Sequence, residues 1–105
     1  MKKIECIMRD DRLKTTLDSL ILAGAPGVTV TRVEGFGSQR VTGGPVLKPK
    51  VKIEIYLPDD QVDTIVKTLM IAGSVGKMGD GKIAVLECED LVRMRTGERG
   101  EKALY

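Results

Sequence analysis

The chain contains no histidine and no tryptophan, and its aromatic side chains are Phe36, Tyr56 and Tyr105 alone. Without histidine it lacks the commonest general base and metal ligand. Scarce aromatics argue against a platform for stacking nucleobases. Cysteine is confined to Cys6 and Cys88, far apart and without C-x-x-C spacing. They read as reduced strand thiols of a cytosolic protein rather than as a bridge or metal site. No apolar run approaches the roughly 20 residues that cross a bilayer, and the start, Met1-Lys2-Lys3-Ile4-Glu5, does not read as a signal peptide. Charge of one sign is missing too: the net charge is +2, with 30% charged residues, so nothing draws the chain strongly towards nucleic acid. A chain of 105 residues is read as one domain with a modest core, which association with further copies would help.

Glycine is plentiful instead. Three glycines and two lysines fall within Gly76-Lys77-Met78-Gly79-Asp80-Gly81-Lys82, between a helical pattern and the strand Ile83-Ala84-Val85-Leu86. Glycine lets the backbone approach a ligand and adopt positive φ, and successive exposed amides beside a lysine make an anion cradle. Downstream stand Arg93 and Arg95; on a strand, that spacing puts both on one face. Loop and arginines together read as a polyphosphate site, since arginine forks suit phosphate oxygens. Taken apart, the loop reads as a tight turn and the arginines as a solvated edge. The first seven positions fit G-x-x-x-x-G-K-[ST], but Ile83 replaces the metal-binding hydroxyl. The order is also helix, loop, strand, the reverse of a P-loop.

In chain order, Lys3–Met8 alternates as a strand, and Asp10 and Asp11 are placed to cap a helix carrying Leu13, Leu17, Leu20 and Ile21. Gly24 ends that helix. A second strand begins at Val28 and runs to Gly35 or Phe36. Residues 37–50, rich in Gly and Pro, form a loop or distorted hairpin. Strand Val51–Leu57 and a helix with Val62, Ile65, Val66 and Leu69 follow, closed by Ala72-Gly73. After the glycine loop come strand Ile83–Cys88, a short strand Leu91–Arg95, and a polar tail, 96–105, open to disorder in an isolated subunit. An ungapped internal repeat supports this division: Lys3-Ile4-Glu5 matches Lys52-Ile53-Glu54, Asp10-Asp11 matches Asp59-Asp60, and Leu22-Ala23-Gly24 matches Ile71-Ala72-Gly73. Each half is strand, helix, strand. Two halves make βαββαβ, an α+β ferredoxin-like sandwich with two helices on one face of a four-stranded antiparallel sheet. The other face is expected to be covered by further copies.

That fold hosts unrelated functions. Gly35-Phe36-Gly37 is a faint match to an RNA-binding motif, but it ends a strand instead of lying mid-sheet. For an enzyme, Asp80 between glycines reads as a turn residue rather than a base, and no partner carboxylate stands at a useful spacing. An amino-acid-binding regulatory domain would leave Arg93 and Arg95 without a role.

Four stretches together make the chain similar to the PII signal-transduction family over nearly its full length. They are Val30-Thr31 to Gly35-Phe36-Gly37, Pro49-Lys50-Val51-Lys52-Ile53-Glu54-Ile55, Gly76 to Ile83, and Arg93-Met94-Arg95-Thr96-Gly97-Glu98-Arg99-Gly100. The resemblance implies a ferredoxin-like homotrimer that binds adenine nucleotides in clefts between subunits. By motif, Gly79, Asp80, Gly81 and Lys82 would hold phosphates and ribose, and Arg93 and Arg95 would reach the phosphates from the adjoining subunit. Gly35, Phe36 and Gly37, with Ile7, Thr29, Glu54 and Tyr56, would line the adenosine side. Gln39 matches the family glutamine that helps bind Mg²⁺ and 2-oxoglutarate beside ATP, and Lys50 the lysine that contacts 2-oxoglutarate.

The departures are specific. The family's long T-loop is shortened here, within 37–50, and Ser38–Lys48 carries no tyrosine, so uridylylation at the usual position is excluded. Ser38 replaces the usual arginine, and Val75 and Ala84 replace usual hydroxyl and aromatic residues. The expectation is a single-domain (1–105), cytoplasmic, non-enzymatic regulator of PII type. It would sense ATP or ADP, with AMP a further candidate, and act on an unknown membrane transporter or metabolic enzyme, in nitrogen metabolism on the family pattern. It would bind no nucleic acid and span no membrane. Mg²⁺ and 2-oxoglutarate are left open. Alternatives are a trimeric scaffold or metal-tolerance protein with a vestigial cleft, and a slow nucleotide hydrolase.

Overall fold

The computed structural model describes residues 1–37, 44 and 46–105. Four strands, β1 (Lys2–Arg9), β2 (Thr29–Gly35), β3 (Lys48–Leu57) and β4 (Gly81–Glu87), and two helices, α1 (Leu13–Leu22) and α2 (Val62–Gly73), follow in the order β1α1β2β3α2β4. The sheet order is β2-β3-β1-β4 and every pairing is antiparallel. This is the ferredoxin-like arrangement that the repeat implies.

Period-two alternation sorts the central strands into two faces. Ile4, Cys6 and Met8 of β1 and Val51, Ile53, Ile55 and Leu57 of β3 are buried, against Leu20 of α1 and Ile65 and Leu69 of α2. Each such aliphatic side chain removed from water contributes about 1.5–3 kcal/mol. The opposite face has a different chemistry. Glu5 lies across from Glu54 and Ala84, and Ile7 across from Lys52 and Lys82. Lys3 bridges Glu54 at 2.9 Å and Glu5 at 3.4 Å, and Lys52 approaches Glu5 at 3.8 Å. These four charged side chains are only 21% to 31% exposed. The aliphatic half of the alternation is thus spent on the helix side, and the face expected to meet other copies is a charged lattice.

The two halves of the repeat end their helices differently. Gly24 takes φ +80°, the left-handed position, while the amides of Gly24 and Ala25 bond back to Ile21 and Leu20. Gly73 remains helical and serves close packing instead: a Cβ there would stand 3.3 Å from Met8 Cε. The Arg12 guanidinium donates to the Ala72 carbonyl at 2.9 Å, supplying a cation where α2's carbonyls run out. The aspartate pairs at the helix starts do not cap: each lies in a 3₁₀ turn without a side-chain cap bond. Asp11 is taken by Arg9, and Asp59 by the N-terminal ammonium at 3.1 Å.

Two expectations about the C-terminal stretch are corrected. Leu91–Arg95 is not a strand. The chain reverses at once, with the Arg93 amide on the Glu98 carbonyl, the Gly97 amide on the Arg93 carbonyl, and one bridge between Val92 and Arg99. Gly97, at φ +75°, allows that reversal. Nor is 96–105 a loose tail: Gly100–Ala103 is a 3₁₀ turn, and Leu104 is buried beside Pro58 and Gln61.

Ile53 is fully buried in the middle of β3. Ile53→Ala is expected to lower unfolding free energy by about 2–5 kcal/mol, read from denaturant melts; a loss below 1 kcal/mol, roughly the smallest of core truncations, would show that this face is not the core.

Candidate functional site

The glycine loop is closed by its own carboxylate. Asp80 Oδ1 accepts from the Val75 amide at 3.0 Å, and Oδ2 accepts from the amides of Gly76 and Lys77 at 2.9 and 3.1 Å. The Val75 amide foremost, then those of Lys77 and Gly76 and the charge of Arg9, hold the Asp80 carboxyl below the usual carboxylate range against the desolvation that opposes them. Gly76, Gly79 and Gly81 take φ of +77°, +94° and +105°. Gly81 is the most constrained: a Cβ there would lie 1.8 Å from the Ile7 carbonyl oxygen. The loop therefore re-enters the sheet through a contact that no side chain fits.

A groove of about 330 Å³ opens between this loop and the facing ends of β1, β2 and β3. Gly35, Phe36 and Gly37 form one wall, Met78 and Gly79 the other, and Arg9, Lys48 and Lys50 bring positive charge. Lys50 Nζ donates to the Gly79 carbonyl at 2.5 Å. Arg9 is held by Asp11 through two bonds of 3.1 and 3.2 Å, and its Nη1 lies 4.0 Å from where a Gly79 Cβ would stand. Such a groove suits an oxyanion carried on an apolar body.

The predicted residues fall in three places. Gly35, Phe36, Gly37, Lys50 and Gly79 meet at this groove. Ile7, Thr29, Glu54, Tyr56 and Lys82 lie on or beside the charged sheet face, where Thr29 opposes Glu54 and Lys82 opposes Ile7. There Lys3 bonds Glu54 and stands 5.8 Å from the Tyr56 ring centroid. Asp80, Gly81 and Lys82 also edge a second groove under α2, with Cys6, Met8 and Met70. Gln39 lies outside the described residues.

Arg93 and Arg95 occupy the third place. Gly81 pairs with Met8 and Glu87 with Lys2, so β4 carries the chain roughly 20 Å from the glycine loop. The hairpin sits at that far end, where Arg93 donates to the Lys102 carbonyl at 3.0 Å and Arg95 is exposed in the turn. One chain does not bring arginines and glycine loop together.

Sequence reasoning missed Arg9, Lys48 and Met78. A signal was present for the first two: Ile7 and Arg9, like Lys48, Lys50 and Lys52, alternate on one strand face. Neither cysteine is bridged; Cys6 is buried, which pushes its thiol up to about 11, and Cys88 Sγ donates to the Asp90 carbonyl. Among the described residues, no group of three or more His, Cys, Asp or Glu gathers around a metal-sized site, and no helix is long and apolar enough to cross a membrane.

A family model described as nitrogen regulatory protein P-II matches residues 1–98. The nitrogen regulatory protein P-II 1 of Escherichia coli (strain K12) is 42% identical over 112 residues, covering 99% of this chain and 100% of that protein. The nitrogen regulatory protein P-II of Pasteurella multocida (strain Pm70) matches to the same extent. A P-II homolog from Arabidopsis thaliana is 42% identical over 110 residues, covering 96% of this chain and 56% of that longer protein.

Two outcomes test the loop geometry. Gly81→Ala is expected to cost at least the roughly 1–3 kcal/mol of a forced backbone, seen as a lower melting temperature; an unchanged melt would refute the close contact. Asp80 has its folded pKa depressed, so the stability it lends is present above its unfolded pKa near 3.9 and is lost as pH falls through the lower folded value. A carboxyl NMR titration placing Asp80 at or above the ordinary aspartate value of 3.8 would contradict the three amide bonds.

Proposed function

The chain belongs to the nitrogen regulatory protein P-II family, and from that premise we propose that it is a cytoplasmic, non-enzymatic regulator that senses adenine nucleotides in clefts between the subunits of a homotrimer. One observation carries this reading: the glycine loop and the arginine hairpin leave β4 at opposite ends. Two halves of a phosphate site that cannot meet within a chain meet when copies assemble in a ring, since a cyclic contact apposes different parts of the same surface. Lys82 and the loop amides would come from one subunit, Arg93 and Arg95 from the next. The charged face beside the cleft, with Ile7, Thr29, Glu54 and Tyr56, is where the nucleoside would lie.

ATP or ADP fits the double supply of cations, and AMP would use fewer of them. Arg9 and Lys50 at the groove give a dicarboxylate such as 2-oxoglutarate a place next to the phosphates. Mg²⁺ would be held mainly by phosphate oxygens, with Gln39. Nucleotide occupancy would bias the segment between Gly37 and Lys50, and a partner transporter or enzyme, in nitrogen metabolism as the relatives' names suggest, would read that bias. Such a switch needs the nucleotide to favour one of two states.

Calorimetric titration is expected to give micromolar binding of ATP or ADP, lost in Lys82→Ala and in Arg93→Ala/Arg95→Ala. Mixing the two variants in equal amounts, with subunit exchange, should restore binding at about a quarter of the clefts, the fraction in which intact halves meet in a random three-fold ring. No recovery would place both halves in one chain and refute the shared cleft. Tighter ATP binding with Mg²⁺ and 2-oxoglutarate present would add the dicarboxylate to the reading.

A further inference from the structure

Two buried side-chain polar atoms lack a hydrogen-bond partner among the described residues: Gln61 Oε1 and Arg93 Nε. They mark the two ends of one segment, the tail that follows the arginine hairpin. At the far end, Leu104 is buried in a cavity shared with Pro58, Gln61 and Tyr105. At the near end, Arg93 Nη2 donates to the Lys102 carbonyl at 3.0 Å, while Nε stands 3.7 Å from Glu98 Oε1, beyond hydrogen-bond reach. Between them lies the 3₁₀ turn Gly100–Ala103, closed by the Leu104 amide on the Glu101 carbonyl at 3.1 Å. One apolar side chain holds this tail down, and a buried polar atom is left unsatisfied at either end of it. Such atoms are rare and costly. The docked tail is therefore less stable than the burial of Leu104 alone would make it.

We propose that the tail is a latch on Arg93: docked through Leu104, it occupies the guanidinium edge that a phosphate would take, and a phosphate bound there displaces it. This rests on the nucleotide reading for the nature of the ligand. Nε and Nη2 lie on one edge of the guanidinium and form a fork that suits two oxygens of one phosphate. With the tail docked, that fork meets a single neutral carbonyl at Nη2 and nothing at Nε. A phosphate would fill both positions with charge-assisted bonds, about twice as strong as neutral ones. Tail and ligand therefore compete, and by linkage each weakens the other. Leu104 and Gln61 thus act on the ligand only through Arg93, as positioning residues.

The test pairs two substitutions of opposite sign, with ATP binding read by calorimetry and melting curves to establish that each protein is folded. Leu104→Ala weakens the anchor and is expected to raise ATP affinity about fivefold, the lower end of couplings between sites. Gln61→Met removes the unpaired acceptor at nearly equal length, steadies the docked tail, and is expected to lower ATP affinity by a similar factor. Adenosine, which has no phosphate, binds all three proteins alike. Hydrogen exchange at the Leu104 amide quickens when ATP saturates the wild type. Weaker ATP binding in Leu104→Ala, equal affinity in all three proteins, or adenosine changes that match those of ATP would overturn the latch. Wild-type protein that binds no nucleotide would overturn the nucleotide reading alone. The latch is then judged by Arg93→Ala, in which the Leu104 amide must exchange faster; unchanged exchange overturns it.

Discussion

The contact on which the candidate site depends is made without a side chain. At Gly81 the backbone rests against the Ile7 carbonyl so closely that a methyl group would overlap it. That contact fixes where β4 begins, and so how the loop from Ser74 to Asp80 stands over the end of β1. Asp80 then draws the amides of Val75, Gly76 and Lys77 inward, and Lys50 holds the Gly79 carbonyl. The sheet thus passes its rigidity to a segment with almost no core of its own. Sites built on rigid supports hold geometry better than sites on free loops.

Below the loop, the same economy governs the whole domain. β1 and β3 spend one face on aliphatic burial and the other on alternating charge. α2 ends against β1 through Gly73, where only a small residue fits comfortably, and Arg12 of the first half caps it. The end of the second helix is thereby tied to the start of the first, close to the glycine loop. Both halves share the same plan, yet only the second ends its helix at the site.

Much of the fold was legible because strands and helices have periods. Ile4-Cys6-Met8 and Leu13-Leu17-Leu20 reveal their faces by spacing, and the repeat doubles each signal. Gly24 was legible as a helix stop because a left-handed residue is wanted there. The identical glycine in the repeat, Gly73, carries the same signal but serves as a packing surface, which depends on Met8, distant in sequence. Leu91–Arg95 imitated a strand because its alternation is real, but the turn at Thr96-Gly97 follows too soon for pairing to extend. At the site, the glycine loop was visible as a cradle, whereas the carboxylate filling half of it was not. Spacing names Asp80 as a turn residue without saying which amides it takes. Arg9 escaped notice for a related reason: its neighbour in space, Gly79, belongs to the other end of the chain.

The lattice of Lys3, Glu5, Lys52 and Glu54 has a kinetic consequence. Two positive and two negative side chains already satisfy one another within a single chain, in a pattern that water tolerates. Surface pairs of this kind contribute little stability, but they remove the adhesive character that an aliphatic sheet face would have. A copy standing alone keeps that face wet without collapsing onto its neighbours at random. Any association through it would be selective for a matching pattern of charge, and would leave separated copies able to meet again instead of aggregating.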